Sequence, residues 1–158
     1  MRSIISKILI GLAVILIVIQ FFGPDTSVPE SEASKDFITI TEPPQQVATI
    51  LKSACYDCHS YQTKYPWYAS ISPVSWWLQD HIDHGRDEFN LSLWADYSTN
   101  RADHKLEEAI ELLEAEEMPL PSYTWIHSGA RLSDQERSVL SAWFSSLRES
   151  LPQETQEN

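Results

Sequence analysis

Length, composition and charge already exclude several classes of protein. The chain has 158 residues, the size of one domain with an appendage, and its 11 Lys and Arg against 23 Asp and Glu give a net charge of −12. Because no basic cluster interrupts this acidity, we expect no nucleic-acid partner. Apolar residues make up 42% of the chain, which is enough for a packed core, and two cysteines are too few for a disulfide framework.

An apolar segment opens the chain. Residues 8–19 are apolar throughout, and residues 4–23 as a helix would reach ~30 Å, the thickness of the hydrocarbon core of a bilayer. Arg2 and Lys7 precede this segment and acidic residues follow it, so the positive-inside rule keeps the N-terminus in the cytoplasm. We expect residues 1–23 to be a single-pass anchor in the cytoplasmic membrane, with the remaining chain on the periplasmic side. A cleaved signal peptide is the alternative, although no Ala-x-Ala site follows the apolar run.

The rest of the chain divides into three parts. Residues 24–42 are polar and rich in Pro and Ser at first, which predicts a flexible tether with a short extended piece at Phe37–Thr41. Residues 43–148 are the expected folded domain. Residues 149–158 are polar and are expected to form a disordered tail.

The pattern of the expected domain is helical. Four segments repeat apolar residues at the i, i+3, i+4, i+7 spacing of one helical face, and no segment sustains the alternation of a strand. The inward residues are Val47, Ile50, Leu51 and Ala54 in the first segment, Val74, Trp77, Leu78, His81 and Ile82 in the second, Leu106, Ala109, Ile110 and Leu113 in the third, and Val139, Leu140, Trp143 and Leu147 in the fourth. Ser72-Pro73 is the expected start of the second helix and Ser133-x-x-Glu136 is a capping box for the fourth; the third is expected from about Asp103. The sequence therefore predicts an all-α domain.

Cys55-Tyr56-Asp57-Cys58-His59 is the motif that carries chemistry. It uses both cysteines of the chain, and the histidine follows the second cysteine directly. This CxxCH spacing is typical of c-type haem attachment, in which two thiols add to the vinyl groups of the porphyrin. We therefore predict one covalent haem c, attached through Cys55 and Cys58, with His59 as the proximal iron ligand.

Three other interpretations of the two cysteines stay open. A thiol–disulfide redox site fits the compartment, but such a CxxC usually follows a strand, and Cys55 follows a predicted helix. A zinc site needs a second pair of ligands, for which His81 and His84 are the candidates. A structural disulfide is the third, although it would close too short a loop to add much stability.

The chain offers few candidates for a second axial ligand of the iron. Met118 is the one methionine besides the initiator, and Pro119 stiffens the loop that holds its sulfur. The ordinary interpretation of such a methionine is that it fills a gap in the core. His81, on the apolar face of the second helix, and His127, in a loop, are weaker alternatives. We expect Met118 to be the distal ligand.

These motifs resemble a known family. The order of helix, CxxCH, intervening helices, Met-Pro and C-terminal helix is similar to a class I cytochrome c. More closely, CYDCHS, TKYPWY, ISPVSWWLQDHIDHGR, LSLW, EMPLPSY and LSDQERSVLSAWF resemble the small bacterial haem-binding domain family that is defined by its CxxCH motif. The resemblance covers about residues 43–147. It implies a cytochrome c-like fold whose last helix crosses the helix before the motif, and it implies that Cys55, Cys58, His59 and Met118 hold haem and iron.

The region 60–100 departs from minimal cytochromes because it is rich in Trp. The residues expected either to wall the haem pocket or to pack in the core are Pro66, Trp67, Trp76, Trp77 and Trp94. Arg86 and Lys64 are candidates for the haem propionates by their charge, and placement on the surface is the equal alternative.

The expected function is electron transfer by a membrane-anchored monohaem protein, and the sequence favours an electron carrier over an enzyme without deciding between them. Such a carrier needs no acid–base residues, and the acidic charge would steer it toward a redox partner with a basic surface. The alternative is a haem-based sensor, or a protein that binds peroxide or another small ligand, in which Met118 is not bound and the distal site is open. The sequence has no hydrolase or phosphate-binding motif.

Overall fold

The computed structural model describes residues 2–152, and all regular elements in this range are helical. The helices are α1 (Arg2–Ile19), α2 (Phe37–Thr41), α3 (Gln45–Ala54), α4 (Tyr56–His59), α5 (Val74–Glu88), α6 (Thr99–Glu114), α7 (Pro121–Thr124) and α8 (Asp134–Ser150). Short 3₁₀ turns lie at Gln20–Phe22, Ala33–Lys35, Trp67–Ser70, Leu91–Asp96 and Ser128–Ala130. The predicted all-α class is confirmed. Most of the predicted tail, residues 153–158, lies outside the described residues.

The N-terminal helix is the apolar segment that the sequence predicted. Ser3–Phe22 is long and apolar enough to cross a membrane, and none of it is buried against the rest of the protein. Its exposed side chains are Ile, Leu, Val and Phe, which water solvates poorly and lipid accepts. The predicted N-terminal apolar helix is therefore confirmed.

The ordered domain begins earlier than the sequence predicted. Phe37–Thr41 is a helix rather than an extended piece, because Asp36 caps its N-terminus. One carboxylate oxygen of Asp36 accepts hydrogen bonds from the backbone N–H groups of Ile38 (3.0 Å) and Thr39 (3.3 Å). Such a cap satisfies two amides that would otherwise lack partners in the first turn.

Phe37 anchors this short helix in the domain. Its side chain is completely buried, and its ring meets Phe89, Trp94 and Phe144 edge-on, with centroid distances of 6.4, 4.9 and 6.1 Å. Burying a Phe side chain contributes roughly 1.5–3 kcal/mol. The end of the predicted tether is therefore part of the core.

The main core lies where α8 packs on both α3 and α6. Its buried members are Phe37, Val47, Ile50, Leu51, Tyr56, Leu91, Trp94, Ala102, Leu106, Leu113, Leu132, Leu140 and Phe144. Ala109 and Ile110 of α6, with Val139, Trp143 and Leu147 of α8, pack against its edge. The inward faces predicted for the first, third and fourth helices are confirmed, and the last helix packs on the helix before the CxxCH motif.

Side-chain caps fix where α6 and α8 begin. α8 starts with the predicted capping box: the Ser133 hydroxyl accepts from the Glu136 N–H (3.3 Å), and the Glu136 carboxylate accepts from the Ser133 N–H (2.9 Å). α6 starts at Thr99, earlier than predicted, because the Ser98 hydroxyl accepts a hydrogen bond from the Arg101 N–H (3.3 Å).

A smaller core lies under α5. Its buried members are Tyr68, Ala69, Leu78 and Ile82, and Cys58 and Tyr65 pack against them. Trp77 and His81 were predicted to point inward, but Trp77 is exposed and the His81 Nδ1–H donates to the Trp77 carbonyl (2.7 Å). Ser72 does not cap α5, since its hydroxyl lies 3.1 Å from that of Ser75. The apolar face of α5 is therefore narrower than predicted.

Candidate functional site

A cavity of about 460 Å³ lies beside the CxxCH turn, with walls from α3, α5, α6 and α8. It is lined by Cys55, His59 and Met118, three of the four residues predicted to hold haem and iron. Its apolar wall consists of Leu51, Phe89, Leu91, Ala109, Leu112, Leu113, Leu140 and Phe144. Such a volume, with apolar walls and a few polar groups, is typical of cofactor sites.

His59 is the last residue of α4, and its backbone N–H donates to the Cys55 carbonyl (2.9 Å). Its Nδ1 lies 2.9 Å from the backbone carbonyl oxygen of Phe89. Because a carbonyl oxygen can only accept, Nδ1 carries the proton, and Nε2 has the lone pair that a metal requires. Burial lowers the pKa of His59, against the opposite effect of the Phe89 and Gly85 carbonyls, so the ring is neutral at pH 7.

The two cysteines are free thiols on different sides of the turn. Cys55 lines the cavity, whereas Cys58 packs against the smaller core under α5. Burial raises the pKa of the Cys55 thiol to about 12 and that of the Cys58 thiol to about 11. Redox-active CxxC sites lower the pKa of a cysteine instead, so this environment does not favour the thiol–disulfide interpretation.

The two middle residues of the motif anchor the turn to distant elements. The Tyr56 hydroxyl donates to the Asp36 carboxylate (3.1 Å) and accepts from the Ile38 N–H (3.3 Å), which ties the turn to α2. The Asp57 carboxylate accepts from the Tyr123 hydroxyl of α7 (2.8 Å). The sequence pattern does not reveal either hydrogen bond, because the partners of Tyr56 and Asp57 lie 20 and 66 positions away.

Arg86 holds the chain that follows the motif. Its Nε donates to the Ser60 carbonyl (3.0 Å), its Nη2 donates to the Thr63 hydroxyl (2.9 Å), and its guanidinium lies over the Tyr61 ring. Arg86 and Lys64 are both outside the cavity lining, which favours the alternative that neither binds a haem propionate there.

Lys105 is a cation that does line the cavity. Its Nζ donates to the carboxylates of Glu88 (3.0 Å) and Glu108 (2.7 Å), which also line it. His84 and Glu111 complete the charged and polar part of the lining. This polar side contrasts with the apolar wall and gives the cavity two chemically different ends.

Met118 lies in the loop that follows α6. Its backbone N–H donates to the Leu112 carbonyl (3.2 Å), and Nη1 of Arg137 in α8 donates to the carbonyls of Met118 (2.7 Å) and Leu113 (3.1 Å). This loop is thus hydrogen-bonded to α6 and α8, two of the helices that wall the cavity. Arg137 is a positioning residue for Met118 that the sequence pattern did not identify.

The weaker ligand candidates lie elsewhere. His127 is outside the cavity lining; its Nε2 is 2.7 Å from the Tyr68 hydroxyl and its ring stacks on Tyr123. His81 is also outside the lining, whereas His84, one turn further along α5, is part of it. Within residues 2–152, no three His, Cys, Asp or Glu side chains group closely enough to hold a metal ion, so the zinc interpretation has no support.

The expected aromatic walls of the pocket are not observed. The residues in question are Pro66, Trp67, Trp76, Trp77 and Trp94, and the cavity lining contains none of them. Trp94 is buried in the main core, and Trp67, Trp76 and Trp77 are exposed. The aromatic residue that α5 and the following chain supply to the cavity is Phe89.

Gly85 permits the close approach of α5 to the CxxCH turn. A Cβ atom at this position would lie 3.2 Å from the Cys58 carbonyl oxygen, tighter than ordinary contact. We expect Gly85→Val to lower the free energy of unfolding by about 2 kcal/mol through overpacking of α5 against the CxxCH turn. Gly129→Val is the matched control, since open space surrounds Gly129. Equal stability of the two variants in thermal unfolding would contradict this role of Gly85.

The chain is similar to a family of known proteins. A family model described as a haem-binding domain matches residues 14–146, a range that contains the CxxCH turn and the complete cavity lining. The search of curated proteins and the search of solved structures gave no match.

Proposed function

The chain belongs to the family of haem-binding domains, and from this premise we propose that it is a membrane-anchored c-type monohaem protein that transfers electrons. The observation that carries the proposal is the convergence of Cys55, His59 and Met118 on one apolar cavity. A neutral imidazole and a thioether are ligands that haem iron accepts in electron carriers. Cys55, His59 and Met118 are therefore chemically suited to hold a haem group.

The cysteines would hold the haem covalently. Cys55 and Cys58 would hold the group through thioether bonds, each of which would arise by addition of an S–H across a carbon–carbon double bond without any net oxidation or reduction. Cys55 lines the cavity, and Cys58 lies three residues further along the same turn. The raised pKa values keep both cysteines as thiols at neutral pH. When bound, haem would supply a reversible one-electron couple.

The other residues would orient the site and exclude water. The hydrogen bond from His59 Nδ1 to the Phe89 carbonyl fixes the ring and leaves Nε2 as the ligand atom. Arg137 holds the Met118 loop against the cavity, and a thioether in that position raises a haem potential. The apolar wall would exclude water from a bound haem, which would favour its reduced, less charged state.

The N-terminal helix would fix the place of the reaction. α1 is long and apolar enough to span the membrane, and Arg2 and Lys7 favour a cytoplasmic N-terminus. The haem domain would then lie on the periplasmic side of the cytoplasmic membrane. Its acidic charge supports a redox partner with a basic surface, whose association slows as salt rises.

We expect the Met118→Ala variant to keep its haem but to have a free coordination position on the iron. Haem stays attached through the cysteines and His59, while the lost thioether leaves a coordination position free, so the reduced variant binds carbon monoxide. Leu112→Ala is the control, because Leu112 lines the same cavity but carries no ligand atom. If the Met118 variant had an unchanged spectrum and no carbon monoxide response, Met118 would not be the distal ligand.

The absorption spectrum of the wild-type protein distinguishes an electron carrier from a sensor or a protein that binds a small ligand. We expect a near-infrared sulfur–iron charge-transfer band in the oxidised state and no carbon monoxide response in the reduced state, as suits an electron carrier. Ready binding of carbon monoxide by the wild-type protein would contradict electron transfer and support the sensor or small-ligand alternative.

A further inference from the structure

We propose that an uncharged aromatic face of the domain rests in the headgroup region of the bilayer that α1 spans. The inference rests on the proposed membrane anchor and goes beyond it, since an anchor alone would leave the domain free above the surface. The aromatic face consists of Trp67, Ile71, Val74, Trp76, Trp125 and Ile126.

The aromatic face is unusually exposed. Trp67 is 78% exposed, Trp125 is 87% exposed and Ile126 is 64% exposed. Large apolar side chains that stand together in solvent mark a surface that another phase or molecule covers. Trp is enriched at membrane interfaces because its ring is apolar and its N–H still finds a hydrogen-bond partner there.

The two segments that form the face lie together in space. The Trp67 ring packs edge-on against Tyr68, with centroids 5.9 Å apart. The Tyr68 hydroxyl lies 2.7 Å from Nε2 of His127, which follows Trp125 and Ile126 directly. The segment that carries Trp67 and the segment that carries Trp125 and Ile126 therefore lie next to each other in the fold.

Hydrogen bonds tie this surface to the C-terminal end of the membrane segment. The Gln20 side chain donates to the Ser72 carbonyl (2.9 Å) and accepts from the Ser72 N–H (3.0 Å). The Trp76 indole N–H donates to the Phe22 carbonyl (2.6 Å). Because Phe22 ends the segment that can span the bilayer, these bonds place the start of α5, and the aromatic face with it, at the level of the membrane surface.

The distribution of charge indicates what covers the aromatic face. The chain carries a net charge of −12, yet residues 65–79 and 118–130 contain no Asp, Glu, Lys or Arg. An acidic face next to the bilayer would be repelled by anionic lipids, and a charged face would lose hydration on contact. An uncharged, Trp-rich face beside the end of a membrane helix fits lipid headgroups, so the membrane itself is the partner.

Photo-crosslinking of the full haem-loaded chain in phosphatidylcholine vesicles tests the inference. Benzoylphenylalanine replaces one residue at a time: Trp125 in the aromatic face, Leu12 in the middle of α1, and the exposed Ser146 in α8 as the control. Lipid adducts are measured by mass spectrometry. We expect the yield at position 125 to approach the yield at position 12 and to exceed the yield at position 146 several-fold.

The other outcomes separate failure of the inference from failure of the anchor. Adducts at position 12 alone mean that the anchor is right and the docked face is wrong. Adducts at neither position 12 nor position 125 mean that both are wrong. Equal adducts at positions 125 and 146 overturn a specific face, and crosslinks from position 125 to protein rather than lipid overturn the membrane as its partner.

Discussion

Replacing His59 by glycine is expected to abolish the low-spin haem spectrum. His59 lines the cavity, and a backbone carbonyl holds its Nδ1–H. If His59 is the proximal ligand, as we propose, its loss would leave the iron without that ligand. The space left by the ring admits free imidazole, and we expect added imidazole to restore the low-spin spectrum. Visible absorption and electron paramagnetic resonance of the detergent-solubilised protein measure both effects.

His84→Gly is the matched control for this experiment. His84 also lines the cavity, but it is exposed on α5. We expect this variant to keep the wild-type spectrum. If the His59 variant kept the low-spin spectrum and the His84 variant lost it, His84 rather than His59 would be the proximal ligand. That result would contradict the proposed site.

Phe37→Ala is expected to destabilise the domain by about 4 kcal/mol, because it removes a fully buried aromatic side chain and leaves a cavity. The loss includes three edge-on contacts with Phe89, Trp94 and Phe144. For a domain of this size the change corresponds to a fall in Tm of roughly 15 °C. Thermal unfolding followed by near-ultraviolet circular dichroism measures it.

Ile40→Ala in the same helix is the control, since Ile40 is 43% exposed. We expect it to cost less than about 1 kcal/mol. If both variants unfolded at the wild-type temperature, residues 36–41 would be a tether after all, and the observed start of the domain would be wrong.

Periodicity predicted the long helices but not the short one at the domain start. The faces of α3, α6 and α8 repeat over ten or more residues, which is enough for a pattern. The five residues of α2 are too few for a repeat, and the polar residues before them suggested a tether. The one local signal was Asp36, whose role as a cap depends on tertiary burial of Phe37.

The residues that carry the chemistry of the site were visible in the sequence, but the residues that hold them in position were not. Cys55 and His59 belong to one five-residue motif, and Met118 was the one internal methionine to consider. The residues that fix their positions, such as Arg137 and Gly85, act on backbone atoms of distant segments and leave no pattern in the sequence. For this reason charge alone misplaced Arg86, which binds the backbone beside the motif.

The composition shows that the chain is rich in tryptophan, but it does not show which tryptophans are buried and which are exposed. Trp77 was predicted to point inward on the periodicity of α5, but it is exposed, and Trp94 alone of the expected pocket residues is buried. Helical periodicity shows which residues share a face of α5, but it does not show how much of that face a neighbouring element covers.

The attachment of haem to the polypeptide is the most direct test of the account. The full chain is expressed in a host with c-type maturation, denatured, and extracted with acidified acetone. We expect one haem to stay on the wild-type polypeptide through Cys55 and Cys58, and we expect it to be extracted from the double variant Cys55→Ser, Cys58→Ser. Complete extraction of haem from the wild-type chain would contradict covalent attachment.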